Sequence, residues 1–362
     1  MLIEGESDME ITKLRKKVDK IDEHVLEMLN ERAKLSLSIG RAKSKKGTSV
    51  YVPDRENQIY SRLIFKNKGP LSNDSLKAIY REVMSGSLSL EKPLKITYLG
   101  PPFTFTHIAA LKKFGLSVEY VSCNSITDIF VEVERNRADY GVVPIENSIE
   151  GAVNHTLDML IDSPLKICSE IYLEVSHSLL SRGSNTKKIK KVYSNPQVFG
   201  QCRLWLESNM PGVELGEVSS TTKAAEIASK EKNSAAIGSI MAARKYGLKV
   251  LAESIEDVPH NITRFLVVGK TLARPTKDDK TSIMFSVKDK IGALHDTLAP
   301  FKKNRINLTK IESRPSKRRH WEYYFFADLE GHYEDEKVKK ALSELKGECL
   351  HLKILGSYPK AS

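Results

Sequence analysis

No run of about 18 apolar residues occurs in this chain of 362 residues, so no membrane-spanning helix is expected. The first ten residues, MLIEGESDME, are acidic and lack an apolar core, so no secretory signal is expected. Cysteine is scarce. Cys123, Cys168, Cys202 and Cys349 lie far apart with no CxxC pair, which excludes a disulfide framework or a thiolate zinc site. Reduced thiols and a cytoplasmic location are the expectation. Nine histidines show no HExxH or other ligand spacing, so neither a metal nor any other cofactor is expected. The formal charge is +11, yet no helix-turn-helix, zinc finger or RNP-type motif accompanies it. The short basic runs at 43–46, 187–191 and 317–319 are read as solvated charge. Neither nucleic acid nor a membrane is an expected partner.

With 40% hydrophobic and 28% charged residues, the composition is that of an ordinary globular chain, long enough for two or three domains. Three patterns follow one another. Residues 1–92 read as all helix, 93–273 as alternating strands and helices, and 279–359 as a smaller βαββαβ unit. Glu91-Lys92-Pro93 and the polar stretch 274–280 read as linkers.

In the first region, Ser7 and Glu10 form a capping box. Apolar residues then recur at Leu14, Val18, Ile21, Val25, Met28, Leu29, Leu35 and Ile39, until Lys45-Lys46-Gly47 gives a basic last turn and a glycine stop. A helix of about 37 residues spans roughly 55 Å. A second helix is predicted after Pro53, ending near Gly69-Pro70, and a third from Ser72. Three such helices cannot enclose a core alone, and a helical homodimer is inferred. Arg32 and Lys43, 11 residues apart, fall within about 20° of one helix face. Arg15, 17 residues before Arg32, lies about 100° away and serves a second site or a partner's. A dicarboxylate suits these cations.

LRKKVDKIDE (14–23), NERAKLSLSIGRAK (30–43), PDRE (53–56) and MSGSLSLE (84–91) resemble the all-helical chorismate mutases. The resemblance implies a dimer whose active sites each borrow an arginine. It gives Arg15 of the partner chain and Arg32 the two carboxylates, and Lys43 the ether oxygen. Arg55 falls to the carboxylate end and Glu56 to the ring hydroxyl, with Ser87 and Glu91 closing the site. Arg32, Lys43 and Glu91 then carry the catalysis. Chorismate rearranges to prephenate without nucleophile or proton transfer, so fixed charges that select a compact conformer suffice. Two positions depart from the family. Val52 replaces an acidic residue of some members. Glu91 stands where others have Gln, and is expected to work protonated.

In the middle region the strand ends carry polar groups. GVVPIENSIEGAV (141–153) sets Glu146, Asn147 and Ser148 at a strand-to-helix turn. VYSNPQVFGQC (192–202) supplies Ser194 and Gln201, and VSSTTKAA (218–225) puts Ser220 and Thr221 at a helix start suited to an anion. HNITRFLVV (260–268) puts Thr263 and Arg264 just before a strand. In this order the motifs resemble prephenate dehydratases. The implied fold is two α/β lobes of the periplasmic-binding type with mainly parallel sheets and a cleft between them. The implied roles are Thr263 at the leaving hydroxyl, Asn147 and Gln201 orienting substrate, and Ser194, Ser220, Thr221 and Arg264 binding carboxylates. Phe103 stands where relatives have Gly or Ala.

The last region reads as a ferredoxin-like fold. Gly292-Ala293-Leu294 with His295, and Ile311-Glu312-Ser313-Arg314-Pro315, resemble the phenylalanine-binding motifs of ACT regulatory domains. The resemblance implies L-phenylalanine as feedback effector, held between domains of a dimer or tetramer. Taken together, the expectation is a multidomain bifunctional chorismate mutase–prephenate dehydratase with a helical domain, a two-lobed α/β domain and an α+β ACT domain. Chorismate, prephenate and L-phenylalanine are its expected small-molecule partners. The rivals are a dehydratase whose helices only dimerise, and an amino-acid-responsive binding protein.

Overall fold

The computed structural model describes residues 2–45, 53–288, 290–316 and 323–361. Val52, the glycine stop at Gly47 and the basic run 317–319 lie outside them. Three helices come first: α1 (Leu2–Lys45), α2 (Pro53–Lys66) and α3 (Asn73–Glu91). Helix α1 begins before the expected cap at Ser7, because no residue there breaks the helix. Its 44 residues reach about 66 Å. Ser72 caps α3, its side chain accepting the Ser75 N–H.

The chain divides into two compact units. The first holds α1, α3 and residues 114–118. There Glu82 and Ser85 of α3 accept the N–H groups of Leu116 and Ser117. Much of the apolar stripe of α1 is exposed: Leu14, Val18, Ile21, Val25, Leu35 and Ile39 are each about half accessible.

The second unit holds α2 and nearly everything after residue 95. In it the buried Asp54 accepts the Arg274 N–H, and Glu56 is ion-paired with Lys113. A first sheet is built from β1 (Lys95–Leu99), β2 (Glu119–Cys123), β3 (Tyr140–Asn147), β4 (Gly151–Ala152), β5 (Lys166–Glu174) and β11 (Ile262–Gly269). Its order is β2-β1-β3-β11-β5, with β4 paired to β3. Helices α4 (Phe105–Phe114), α5 (Ile126–Glu134) and α6 (Asn154–Asp162) connect these strands.

The second sheet has order β10-β6-β9-β7-β8. Its strands are β6 (Ser178–Ser181), β7 (Lys191–Ser194), β8 (Glu214–Glu217), β9 (Ser234–Gly238) and β10 (Lys249–Ala252). Helices α7 (Pro196–Gln201), α8 (Arg203–Asn209), α9 (Thr221–Lys230) and α10 (Ile240–Tyr246) flank it. Successive side chains feed opposite cores: Leu179, Ala235 and Ile237 enter one, Leu180 and Ala236 the other. This two-sided burial is why β9 carries the continuous apolar run Ala235-Ala236-Ile237. Neither sheet is purely parallel, since β11 runs antiparallel to β3 and β5, and β6 to β9 and β10.

The third sheet, β13-β14-β12-β15, is the expected βαββαβ unit. It comprises β12 (Asp279–Val287), α11 (Ala293–Lys303), β13 (Leu308–Pro315), β14 (Tyr323–Glu330), α12 (Glu336–Glu348) and β15 (Cys349–Pro359). The stretch read as a linker ends inside β12, where Asp279 and Lys280 are buried. One face of this sheet packs on α11 and α12. The other shares a core with the first sheet: Met284, Phe326, Leu355 and Tyr358 meet Leu266, Val268 and Ile167. At that seam Gly356 runs so close to β5 that a Cβ would collide with the Ile167 carbonyl oxygen.

Gly356→Ala is therefore expected to destabilise by about 1–3 kcal/mol in chemical denaturation, because the obstruction is backbone. Gly347→Ala, in α12 with nothing within 4 Å of the added methyl, is expected to be neutral or to stabilise by about 0.4–1 kcal/mol. Equal effects would contradict the close approach at the seam.

Candidate functional site

In the first unit, Arg32, Gly40 and Lys43 recur at helical spacing on α1, opposite the end of α3. Arg32 donates to Ser87 Oγ at 2.6 Å, and Ser87 passes its own proton to the Val83 carbonyl. Glu91 lies one turn further, folded over Gly40, where a Cβ would meet its Cγ at 2.8 Å. Only glycine lets that carboxyl sit there. Its Oε2 is buried without a hydrogen bond. Burial pushes the Glu91 carboxyl above the ordinary carboxylate range, although Lys43 and Arg32 pull it back.

The structure thus gathers Arg32, Lys43, Ser87 and Glu91. Arg15 is exposed on the same helix, about 25 Å from Arg32 along the axis. One chain cannot bring the two to a single small ligand. Arg55 and Glu56 belong to the second unit, where Arg55 donates to Gln58 and Glu56 lies 2.9 Å from Lys113.

In the second unit, β3 extends through Asn147, so Glu146 and Asn147 are strand residues rather than turn residues. Thr263 on β11 stands directly opposite Asn147. The Asn147 carboxamide is oriented by its surroundings. Its Oδ1 accepts from the Ile149 and Glu150 N–H groups at 2.9 and 3.1 Å. Its Nδ2 is therefore left to donate to Thr263 Oγ1 at 2.9 Å and to Asn261 Oδ1 at 2.6 Å. Thr263 receives that bond, which leaves its own O–H free to donate.

Gln201, from the second sheet's side, reaches the same group. Its Nε2 donates to Glu150 Oε1 at 2.7 Å, and its Oε1 lies 2.8 Å from His177 Nε2. His177 is buried, and desolvation lowers its pKa. Because Gln201 Nε2 is committed to Glu150, its Oε1 faces the neutral ring, and the ring proton is assigned to His177 Nε2. Glu150, His177 and Asn261 were not singled out from sequence. Asn261 had a usable signal, since it stands two residues before Thr263 and so shares its side of the strand.

Ser220 caps α9, accepting the Lys223 N–H, with Thr221 at the first helical position. Thr222 behind it has a buried hydroxyl without a hydrogen-bond partner. Phe103 is half-buried with φ +70°, a backbone conformation that favours glycine. His107 Nδ1 accepts its N–H, and Lys245 from the second lobe lies 5.6 Å above its ring.

Two expected carboxylate ligands are placed otherwise. Ser194 is fully buried and spends its proton on the Ile237 carbonyl, joining β7 to β9. Arg264 follows Thr263 directly in a strand, and consecutive strand side chains point to opposite faces. It turns from the Thr263 side into Glu170, Asp328 and Tyr358.

In the third sheet Gly292 caps α11 with φ +77°. Ala293 is buried behind it and Leu294 is partly exposed. His295 is exposed beside Asp296. Lys310, Glu312 and Arg314 share the half-buried face of the edge strand β13, with Ser313 and Pro315 on the exposed face. Arg314 grips Asp158 of α6 through both carboxylate oxygens, at 2.8 and 2.9 Å.

Three family models match in chain order: chorismate mutase type II over residues 14–92, prephenate dehydratase over 96–272 and the ACT domain over 281–347. The bifunctional chorismate mutase/prephenate dehydratase of Aquifex aeolicus (strain VF5) is 52% identical over 356 residues, covering 97% of this chain and 98% of the relative. The prephenate dehydratase of Methanocaldococcus jannaschii is 41% identical but covers only 73% of this chain against 97% of its own length. Among solved structures, the prephenate dehydratase of Arthrobacter aurescens in complex with L-Phe superposes with TM-score 0.68 at 33% identity, over 74% of this chain and 90% of that one. Near-complete coverage at 52% identity, with all three models in order, shows that this chain belongs to the bifunctional chorismate mutase/prephenate dehydratase family.

Proposed function

We propose that the helical unit rearranges chorismate to prephenate through Arg32, Lys43, Ser87 and Glu91, completed by Arg15 of a second copy. Two observations support the dimer: the exposed apolar stripe of α1 and the distance of Arg15 from Arg32 in one chain. Arg32 binds a carboxylate. Lys43 and a protonated Glu91 meet the negative charge that develops on the ether oxygen. Arg55 and Glu56 are assigned to the substrate's carboxylate and hydroxyl on the motif alone.

The observation that carries the dehydratase assignment is the one-way hydrogen bond from Asn147 to Thr263. Prephenate loses its ring carboxylate as CO2 and its C4 hydroxyl as water, and aromatisation drives both losses. The departing hydroxyl needs a proton donor. With its lone pair engaged by Asn147, Thr263 presents its O–H to that oxygen. Gln201, held by Glu150 and His177, orients the substrate. Ser220, Thr221 and the first N–H groups of α9 suit a carboxylate.

L-phenylalanine is the proposed effector, bound by the backbone at Gly292–Leu294 and by Glu312–Pro315 across paired third sheets. The free edge of β13 supports such pairing, in a dimer or tetramer. A cytoplasmic enzyme is proposed. All four cysteines are free and buried, and burial raises Cys123 to about 11 and Cys168 and Cys202 to about 12. No helix among the described residues is long and apolar enough to cross a membrane.

Thr263→Ala is expected to lower dehydratase kcat by about 10²- to 10⁴-fold while the same sample still consumes chorismate at the unmodified rate. Asn147→Asp, which cannot donate to Thr263 when ionised, is expected to act in the same direction. Wild-type prephenate turnover by Thr263→Ala would remove Thr263 from the chemistry.

Mutase activity is expected to fall as pH rises through the raised Glu91 value, because ionised Glu91 repels the ether oxygen. Below that value the carboxyl is protonated and activity is full. Glu91→Gln should flatten the profile and preserve the rate on the alkaline side. An unmodified enzyme with a flat profile, or a Gln variant with the same slope, would reject the protonated role.

A further inference from the structure

Strands β3 and β11 carry two adjacent rungs that face opposite ways. Thr263 pairs with Asn147 on one, Arg264 with Glu146 on the next. The rungs are about 3.3 Å apart and share peptide units, so what clamps the second rung constrains the first. The second rung is clamped by all four strands of the third sheet.

Arg264 Nη1 lies 2.5 Å from Asp328 Oδ2 on β14, and Nη2 donates to Tyr358 Oη on β15 at 3.0 Å. Ser282 on β12 donates to Asp328 Oδ1, so the proton between Ser282 and Tyr358, 2.6 Å apart, belongs to the phenol. A closed ring results: Arg264 to Tyr358 to Ser282 to Asp328, and back to Arg264. Its remaining contact, Arg264 Nε to Glu170 on β5 at 2.9 Å, leads to Lys280 of β12, 2.8 Å from the same carboxylate. Lys310 of β13 lies 2.9 Å from Glu146, the other member of the rung.

Arg264, Lys280 and Lys310 thus face Glu146, Glu170 and Asp328, three cations against three anions. Most of the group is buried, with Arg264 5% and Glu170 3% accessible. Burial works against the charge on Arg264, but the carboxylates of Asp328 and Glu170 outweigh it and hold the guanidinium charged. Removing one partner of such a balanced group leaves a buried charge that must move to find another.

We propose that Asp328, a residue of the C-terminal domain, is a positioning residue for dehydration: through Arg264 it fixes the rung that carries Thr263 and Asn147. The inference rests on the dehydratase reading of that rung. It takes Asp328 out of a merely regulatory domain and makes it part of what aims the Thr263 hydroxyl. It also connects β13, which bears Glu312 and Arg314, to the same rung through Lys310.

The test uses the full chain, with the helical unit's chorismate consumption as internal measure of folded protein. Asp328→Asn keeps the shape and removes the charge. It is expected to lower dehydratase kcat by at least about tenfold, since misplacement by about 1 Å costs on the order of 10²-fold. KM for prephenate should change by less than about threefold, and chorismate consumption should be unchanged. Tyr358→Phe, which removes only the phenol oxygen, should lower kcat in the same direction by a smaller factor and covers the case in which Asp328→Asn does not fold. Lys360→Met, on the exposed Glu330 and Asp278 pair nearby, should leave both activities at the unmodified rate. Folded variants with unmodified kcat, or variants that lose both activities in proportion, would overturn the proposal. No prephenate turnover by the unmodified chain would overturn the dehydratase reading, and the proposal with it.

Discussion

The interaction on which the seam between the first and third sheets depends is the burial of Arg264 among Glu170, Asp328 and Tyr358. An isolated guanidinium at that depth would be strongly unfavourable, so the first and third sheets must supply its partners together. Apolar packing alone joins surfaces without choosing a register. A charge with directional donors selects one arrangement of β11 against β5, β14 and β15. The packing around it, from Met284 and Phe326 to Leu266, then has a defined geometry to fill. The alternation of a strand sets the neighbouring residue, Thr263, on the opposite face, across from Asn147.

The helical unit solves a different problem with simpler means. A unimolecular rearrangement needs fixed charges and a shaped space, and a long helix supplies both at regular spacing. Gly40 makes room for the Glu91 side chain, and Arg32 is anchored by Ser87. What one copy of α1 does not do is cover its own apolar stripe or bring Arg15 near Arg32. That exposed stripe and that separation are the two observations on which the proposed second copy rests.

Much of this was legible in the chain. The helix starts after Pro53 and from Ser72, and the βαββαβ order of the last region, follow from local patterns. The reading of mainly parallel sheets failed because β11 returns from the second sheet to lie antiparallel to both β3 and β5, and nothing local sets that direction. KICSEIYLE carries two glutamates and a serine, and nothing local says that Glu170 is buried against Lys280, 110 positions away. Thr263 and Arg264 were read as one motif serving one site. Strand alternation separates them, and the partners that draw Arg264 away, Asp328 and Tyr358, lie 64 and 94 positions further on. Ser194 looked available because it ends a strand, yet burial by β9 commits its hydroxyl. Local chemistry was readable where a motif and its partners lie close together. It was hidden where long-range pairing decides which way a side chain turns.

The most direct test of the whole account supplies the purified chain with chorismate alone. Loss of chorismate and appearance of phenylpyruvate are followed in the same sample. The account predicts both, because the helical unit makes the substrate of the site at Thr263. Untouched chorismate, together with conversion of added prephenate, would contradict it and reduce the helices to a dimerisation element.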